Sequence, residues 1–295
     1  MKNSQVSDAS GHVRAYVGVL LVLVSTIAVG IVPTAAKLAF EAGSNTLTVV
    51  TMRGLIGAGL IAACLAASGQ AVRMSESALR WSLAAGGFYT VMAYSLIASI
   101  GLVTVNLVVV VYFTHPILVA SIAHLRGSES LSFLKVVLIG VNFLGITLVL
   151  GHATADFDLR GIAFAAIASA SVSGMILCSA RAQVSGTSSQ VNFVMTAVTV
   201  VIFASVTSGL DAWLFPETVK GWAGLIAAGA GMAIGLLSFF ASFRYISATR
   251  ATLLSTIEPV ISILFAVAVL GERLLPWQWA GVAVVMASLI ALQAI

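Results

Sequence analysis

Ten apolar stretches of about twenty residues each, separated by short polar breaks, constrain this chain more than any other feature. They cover residues 16–40, 47–68, 81–100, 104–124, 132–151, 160–180, 191–210, 222–243, 251–270 and 277–294. A helix needs roughly 17–25 apolar residues to cross ~30 Å of hydrocarbon, and its backbone is then satisfied within the segment. Soluble domains are about a quarter charged; here 8% of residues are charged and 60% hydrophobic. The chain is therefore expected to be an all-α polytopic membrane protein with ten transmembrane helices. The break at Gly101-Leu102-Val103 is set by length alone, because the joined run is too long for one crossing. The first stretch follows a polar head, Met1 to Arg14. It exceeds a signal-peptide core and has no convincing cleavage site, so it is expected to be retained.

Basic residues set the topology. With the N-terminus inside, Lys2, Arg14, Arg73, Arg80, Arg126, Lys135, Arg181, Arg244 and Arg250 fall on the cytoplasmic side. Only Arg160, Lys220 and Arg273 fall outside. Both termini are thus predicted to be cytoplasmic. The net charge of +4 comes with no Lys/Arg run, which excludes a nucleic-acid surface. Cys64 and Cys178 lie in apolar stretches and read as small buried hydrophobes rather than as a disulfide or metal site. All five tryptophans lie at or beside segment ends, where interfacial anchoring accounts for them.

The ninth stretch contains Thr252-Leu253-Leu254-Ser255-Thr256-Ile257-Glu258-Pro259-Val260, a carboxylate and a helix breaker inside an apolar run. The fourth contains Tyr112-Phe113-Thr114-His115-Pro116. The differences 258 − 115, 259 − 116 and 272 − 129 (Glu272 and Glu129) all equal 143. Ala84/Ala227, Gly86/Gly229, Ser95/Ser238, Ser99/Ser242 and Leu131/Leu274 are identical at the same offset. The chain reads as one five-helix unit written twice: a cytoplasmic segment 1–14, a first repeat 15–151 and a second repeat 152–295. Five is odd, so the second repeat must be inverted, and such repeats place a site near the midplane between them.

These features resemble the drug/metabolite transporter superfamily of EamA type: ten helices in two halves, each with a proline in its fourth helix and a glutamate thirteen residues later. The second half carries the pattern as Glu258-Pro259-Val260 and Leu270-Gly271-Glu272-Arg273. The first half departs from it, with Ser128-Glu129 and with His115 before the proline. Arg53 in the second segment also fits, while its offset position is Thr196. Within the superfamily the chain is most similar to the bacterial YddG-type exporters of aromatic and other amino acids. The resemblance implies an inner-membrane location, a central cavity, a small-molecule substrate and no cofactor, and it makes the chain a transporter rather than an enzyme. Apart from cargo, the lipid bilayer is the only partner implied; the sequence neither demands nor excludes an oligomer.

Several residues are candidates for the cavity or for coupling. Glu258 either titrates and accepts a substrate ammonium, or caps the backbone broken by Pro259. His115 lies roughly 16 Å into its segment at 1.5 Å per residue. It suits proton coupling and equally a neutral histidine hydrogen-bonded between helices. Arg53 suits a substrate carboxylate or an internal partner. Phe88, Met92, Ser95 and Ser99 share one face of the third segment, and Gly231, Gly235, Ser238 and Ser242 the same face of the eighth. Small-residue helix packing predicts this pattern too. Tyr89, Tyr94, Tyr112 and Phe239 are further candidates for the lining, and Pro33, Pro116 and Pro259 are expected to break their helices. No phosphate loop, His-Glu-x-x-His motif, clustered metal ligands or Gly-x-Ser-x-Gly elbow occurs.

The leading expectation is a secondary exporter of amino acids, aromatic and other neutral ones, working by alternating access. An exporter of drugs or nucleosides with the same fold is the first alternative. A membrane enzyme using His115 and Glu258 is the second, and a non-transporting scaffold the third.

Overall fold

The structure, a computed structural model, describes residues 2–69, 72–100, 102, 111–127, 132–150, 158–270 and 275–293. All regular structure among them is helical, in twelve helices. In chain order these are α1 (Lys2–Gly30), α2 (Val32–Glu41), α3 (Thr46–Ala67), α4 (Glu76–Ile100), α5 (His115–Leu125) and α6 (Phe133–Leu150). Then follow α7 (Leu159–Ala182), α8 (Ser188–Gly209), α9 (Val219–Ser242), α10 (Ala248–Ser255), α11 (Glu258–Leu270) and α12 (Pro276–Gln293). Glu129, Leu131, Gly271, Glu272, Arg273 and Leu274, the break residues Gly101 and Val103, and the start of the fourth stretch (104–110) lie outside the described residues. Among the described residues, five segments are long and apolar enough to cross a membrane: 15–41, 46–67, 159–182, 188–209 and 219–242.

Each of three prolines follows a helix break. The first apolar stretch breaks at Ile31, with proline in the opening turn of α2. A turn at Phe113 and Thr114 precedes α5, which likewise opens on proline. Thr256 and Ile257 separate α10 from α11. Elsewhere helix starts are capped by side chains: Asn45 accepts from the Thr48 amide at 2.8 Å, and Thr187 and Gln190 form a reciprocal capping box at α8.

The repeat extends to element boundaries. The starts of α4 and α9, α5 and α11, and α6 and α12 are separated by 219 − 76, 258 − 115 and 276 − 133, all 143. Packing repeats in the same way: α4 lies on α7 as α9 lies on α1 and α2, and α4 lies on α8 as α9 lies on α3. The self-equivalent pairs α3–α8 and α6–α12 also pack together. Thr51 and Thr207 bond across α3 and α8 at 2.9 Å, and the next turn of α3 meets an earlier turn of α8 at Gly54 and Val200, so these helices are antiparallel. On α4, Ala78 meets Gly186 just ahead of α8, and Thr90 bonds Thr199 at 3.0 Å; α4 runs with α8. Gly221 approaches Ala42 and Gly229 packs on Ile56, so α9 runs with α3. Hence α4 and α9, equivalent by sequence, point in opposite directions.

Polarity is distributed for a lipid surround. On α8 the buried face carries Asn192, Thr196, Thr199 and Thr207, while Val201, Ile202 and Val206 face outward. On α6, Phe133, Leu134, Val136 and Leu144 are exposed. With apolar surroundings on both sides, close packing of small residues and hydroxyl bonds between helices hold such a bundle. On α9, Gly224 and Gly231 let the Ala35 and Ala28 carbonyls approach so closely that a Cβ at either glycine would sit 2.5 Å from the oxygen.

Candidate functional site

The helix breaks converge on one place. Pro116 has no N–H to offer the Tyr112 carbonyl, and the His115 ring takes that position, with Nδ1 at 3.0 Å from the oxygen. A carbonyl only accepts, so Nδ1 carries the proton, and in the neutral ring Nε2 keeps a lone pair. His115 is buried, with the rings of Tyr112 and Phe113 at 5.2 and 5.5 Å. Thr114, between break and helix, pairs its hydroxyl with Ser169 of α7 at 2.8 Å. Pro259 likewise denies a donor to the Ser255 carbonyl, and Pro33 to the Val29 carbonyl.

A cavity of about 100 Å³ lies among these segments, room for several waters or part of a small molecule. Its wall takes Ser25 and Val29 from α1, Tyr89 and Met92 from α4, and Tyr112 and His115 from the fourth stretch. From α7 come Val172, Met175 and Ile176, and from α9 Met232, Gly235, Leu236 and Phe239. Ser255 of α10 and Glu258 of α11 complete it. Five pairs in this wall are repeat equivalents: Val29/Val172, Tyr89/Met232, Met92/Gly235, Tyr112/Ser255 and His115/Glu258. The cavity therefore sits astride the relation between the halves. Val29/Val172 is identical and the other four differ in chemistry: the first half supplies rings, a thioether and an imidazole where the second supplies a methionine, open space, a hydroxyl and a carboxylate. Among the described residues, Glu258 is the single acidic group of the wall, and no Lys or Arg lines it. No cluster of three or more His, Cys, Asp or Glu able to hold a metal occurs among them either.

The structure thus brings Tyr89, Met92, Tyr112, His115, Phe239 and Glu258 into one wall. Arg53 is half-buried on α3, outside it. Phe88 lies on α7, where a Cβ at Gly174 would be 2.8 Å from its ring. Tyr94 is 58% exposed and edge-on to Phe164 at 6.3 Å. Ser95 is buried and Ser238 half-buried, both outside the wall. Ser99 donates to the Gly161 carbonyl of α7 at 2.8 Å; its equivalent Ser242 bonds within its own helix, to Phe239 at 2.6 Å. Ser25, Val29 and Met175 escape inspection of the sequence as unusual residues. The 143-residue offset flags Ser255 and Met232, as partners of Tyr112 and Tyr89.

Comparison with known proteins gives a family and a fold. The EamA-like transporter family matches the chain twice, over residues 16–151 and 159–293, and the two matches start 143 residues apart. A solved crystal structure 15% identical in sequence superposes with a TM-score of 0.80, over 94% of this chain and 96% of its own; at that identity the likeness concerns the fold alone. Among curated proteins none matches.

Proposed function

This chain belongs to the EamA-like transporter family, membrane transporters of small molecules, and we propose on that premise that it exports amino acids, aromatic and other neutral ones, across a bacterial inner membrane. In this reading ten segments form two inverted five-helix halves, with both termini in the cytoplasm. The first and ninth are each two helices broken at a proline. The halves rock about the cavity and open it to either side in turn. The observation that carries the reading is the wall built from five repeat-equivalent pairs, since a site shared by inverted halves can be exposed to either face by the same motion.

Tyr89, Phe239 and the methionines of the wall would take an apolar or aromatic side chain, and the Glu258 carboxylate would accept the ammonium. Such a carboxylate can exchange a proton for a cationic substrate; facilitated diffusion needs no exchange. The test is uptake of labelled phenylalanine into proteoliposomes of purified protein, with and without an imposed pH gradient, alongside Glu258→Gln and His115→Ala. Saturable uptake is expected. Loss of only the gradient-driven part in Glu258→Gln would make the carboxylate the coupling group. No movement of any amino acid would sink the cargo assignment.

A further inference from the structure

We infer that the cavity recognises the ammonium and apolar body of its cargo and leaves a carboxylate unread, so that aromatic primary amines are cargo on a par with the amino acids. The inference rests on the cavity being the transport route.

Charge in the wall is one-sided. Glu258 supplies the one acidic group, and no Lys or Arg lines the cavity among the described residues. Arg53, the cation best suited by sequence to hold a carboxylate, is outside the wall.

The neutral polar groups mostly accept. His115 uses its Nδ1 proton on the Tyr112 carbonyl, which leaves Nε2 as an acceptor in the neutral ring. The Ser255 hydroxyl donates to the Thr252 carbonyl at 2.8 Å, which leaves its lone pairs. The Val29 and Ser255 carbonyls, denied a donor by the prolines, can only accept. Acceptors around a carboxylate complement an N–H₃⁺ group. A substrate carboxylate, one carbon from that ammonium, would be held near Glu258, where like charges repel and burial strengthens the repulsion. The phenols of Tyr89 and Tyr112 and the Ser25 hydroxyl offer it protons; the Arg53 charge acts on both phenols, but from outside the wall, where it lines no part of the cavity. The same phenol rings favour a cation over their faces.

The experiment is counterflow of labelled phenylalanine into proteoliposomes of the full chain, competed by phenylethylamine, phenylalanine methyl ester and 3-phenylpropionate; labelled phenylethylamine is run in parallel. The amine and ester are expected to compete at least as well as phenylalanine, and the acid to be at least tenfold weaker. In Glu258→Gln the amine should lose tenfold to a hundredfold in apparent affinity, the span of a charge-assisted hydrogen bond. The wild-type series stands even if that variant fails to fold. Competition by 3-phenylpropionate equal to or stronger than by the amine would overturn the inference while leaving amino-acid export intact. Movement of labelled amine without phenylalanine would uphold the inference and replace the amino-acid cargo. Movement of neither would overturn the cavity as a transport route, and the inference with it.

Discussion

Replacing Gly231 by alanine tests how α9 meets the first helix. The added Cβ would lie 2.5 Å from the Ala28 carbonyl oxygen and 3.2 Å from Ile31 Cγ2. Ordinary contact begins near 3.4 Å, so the carbonyl must retreat by about 0.9 Å. A backbone oxygen inside a helix cannot swing aside, and α1 must move as a body. Overpacking of this kind costs about 1–3 kcal/mol, while alanine gains about 1 kcal/mol over glycine in a helix. The net expectation is a loss of about 1 kcal/mol. Gly140 on α6 is the control: a Cβ there meets nothing within 4 Å, so only the gain of about 1 kcal/mol remains. The same chemical change should therefore have opposite signs at the two sites, roughly 2 kcal/mol apart. Unfolding of the purified variants in mixed micelles reads this directly. Gly231→Ala as stable as Gly140→Ala would refute the close approach of α1 and α9. Because Ser25 and Val29 line the cavity from α1, a folded Gly231→Ala should also transport more slowly.

Other expectations follow from single contacts. Thr196 is buried with its hydroxyl unpartnered among the described residues, whereas Thr199 bonds Thr90 at 3.0 Å. Thr196→Val should hold or raise stability, and Thr199→Val should lower it by about 0.6–1.7 kcal/mol; equal losses in unfolding would contradict this. Ser99→Ala removes the bond to Gly161 between α4 and α7 and should cost a similar ~0.6–1.7 kcal/mol, with Ser242→Ala milder because its bond lies within one helix. At the start of α7, Arg160 donates to the Asp158 carboxylate at 2.7 Å and holds that carboxyl below its usual range. A depressed value means the contribution is complete above the ordinary aspartate range and is lost as pH falls from there through the depressed value. Asp158→Asn should therefore melt below wild type at neutral pH and converge with it in acid; a gap that persists in acid would refute the link.

Much of this arrangement was legible in the sequence because it depends on rare residues. A carboxylate and an imidazole beside prolines in apolar runs, 143 residues apart, mark the repeat and the two breaks that meet at the cavity. The same offset locates Ser255 and Met232 as wall positions. What periodicity could not supply was which part of a helical face stays open. Phe88, Met92, Ser95 and Ser99 share a face of α4, but α7 packs along it: Phe88 lies on Gly174 and Ser99 reaches Gly161, leaving Met92 at the cavity. Ser25, Val29 and Met175 are ordinary residues for such helices, so only their neighbours make them part of the wall. Tyr94 fits the aromatic pattern, yet it is turned outward by where α4 sits on its partners.

Substrate protection of a single thiol tests whether cargo passes through this cavity. Ser255→Cys would be placed in a background with Cys64 and Cys178 replaced by alanine and alkylated in proteoliposomes with a small membrane-impermeant reagent. Labelling should slow in proportion to the occupancy of any cargo the protein transports. Labelling indifferent to a transported cargo, or a thiol that never reacts while transport proceeds, would place the route elsewhere.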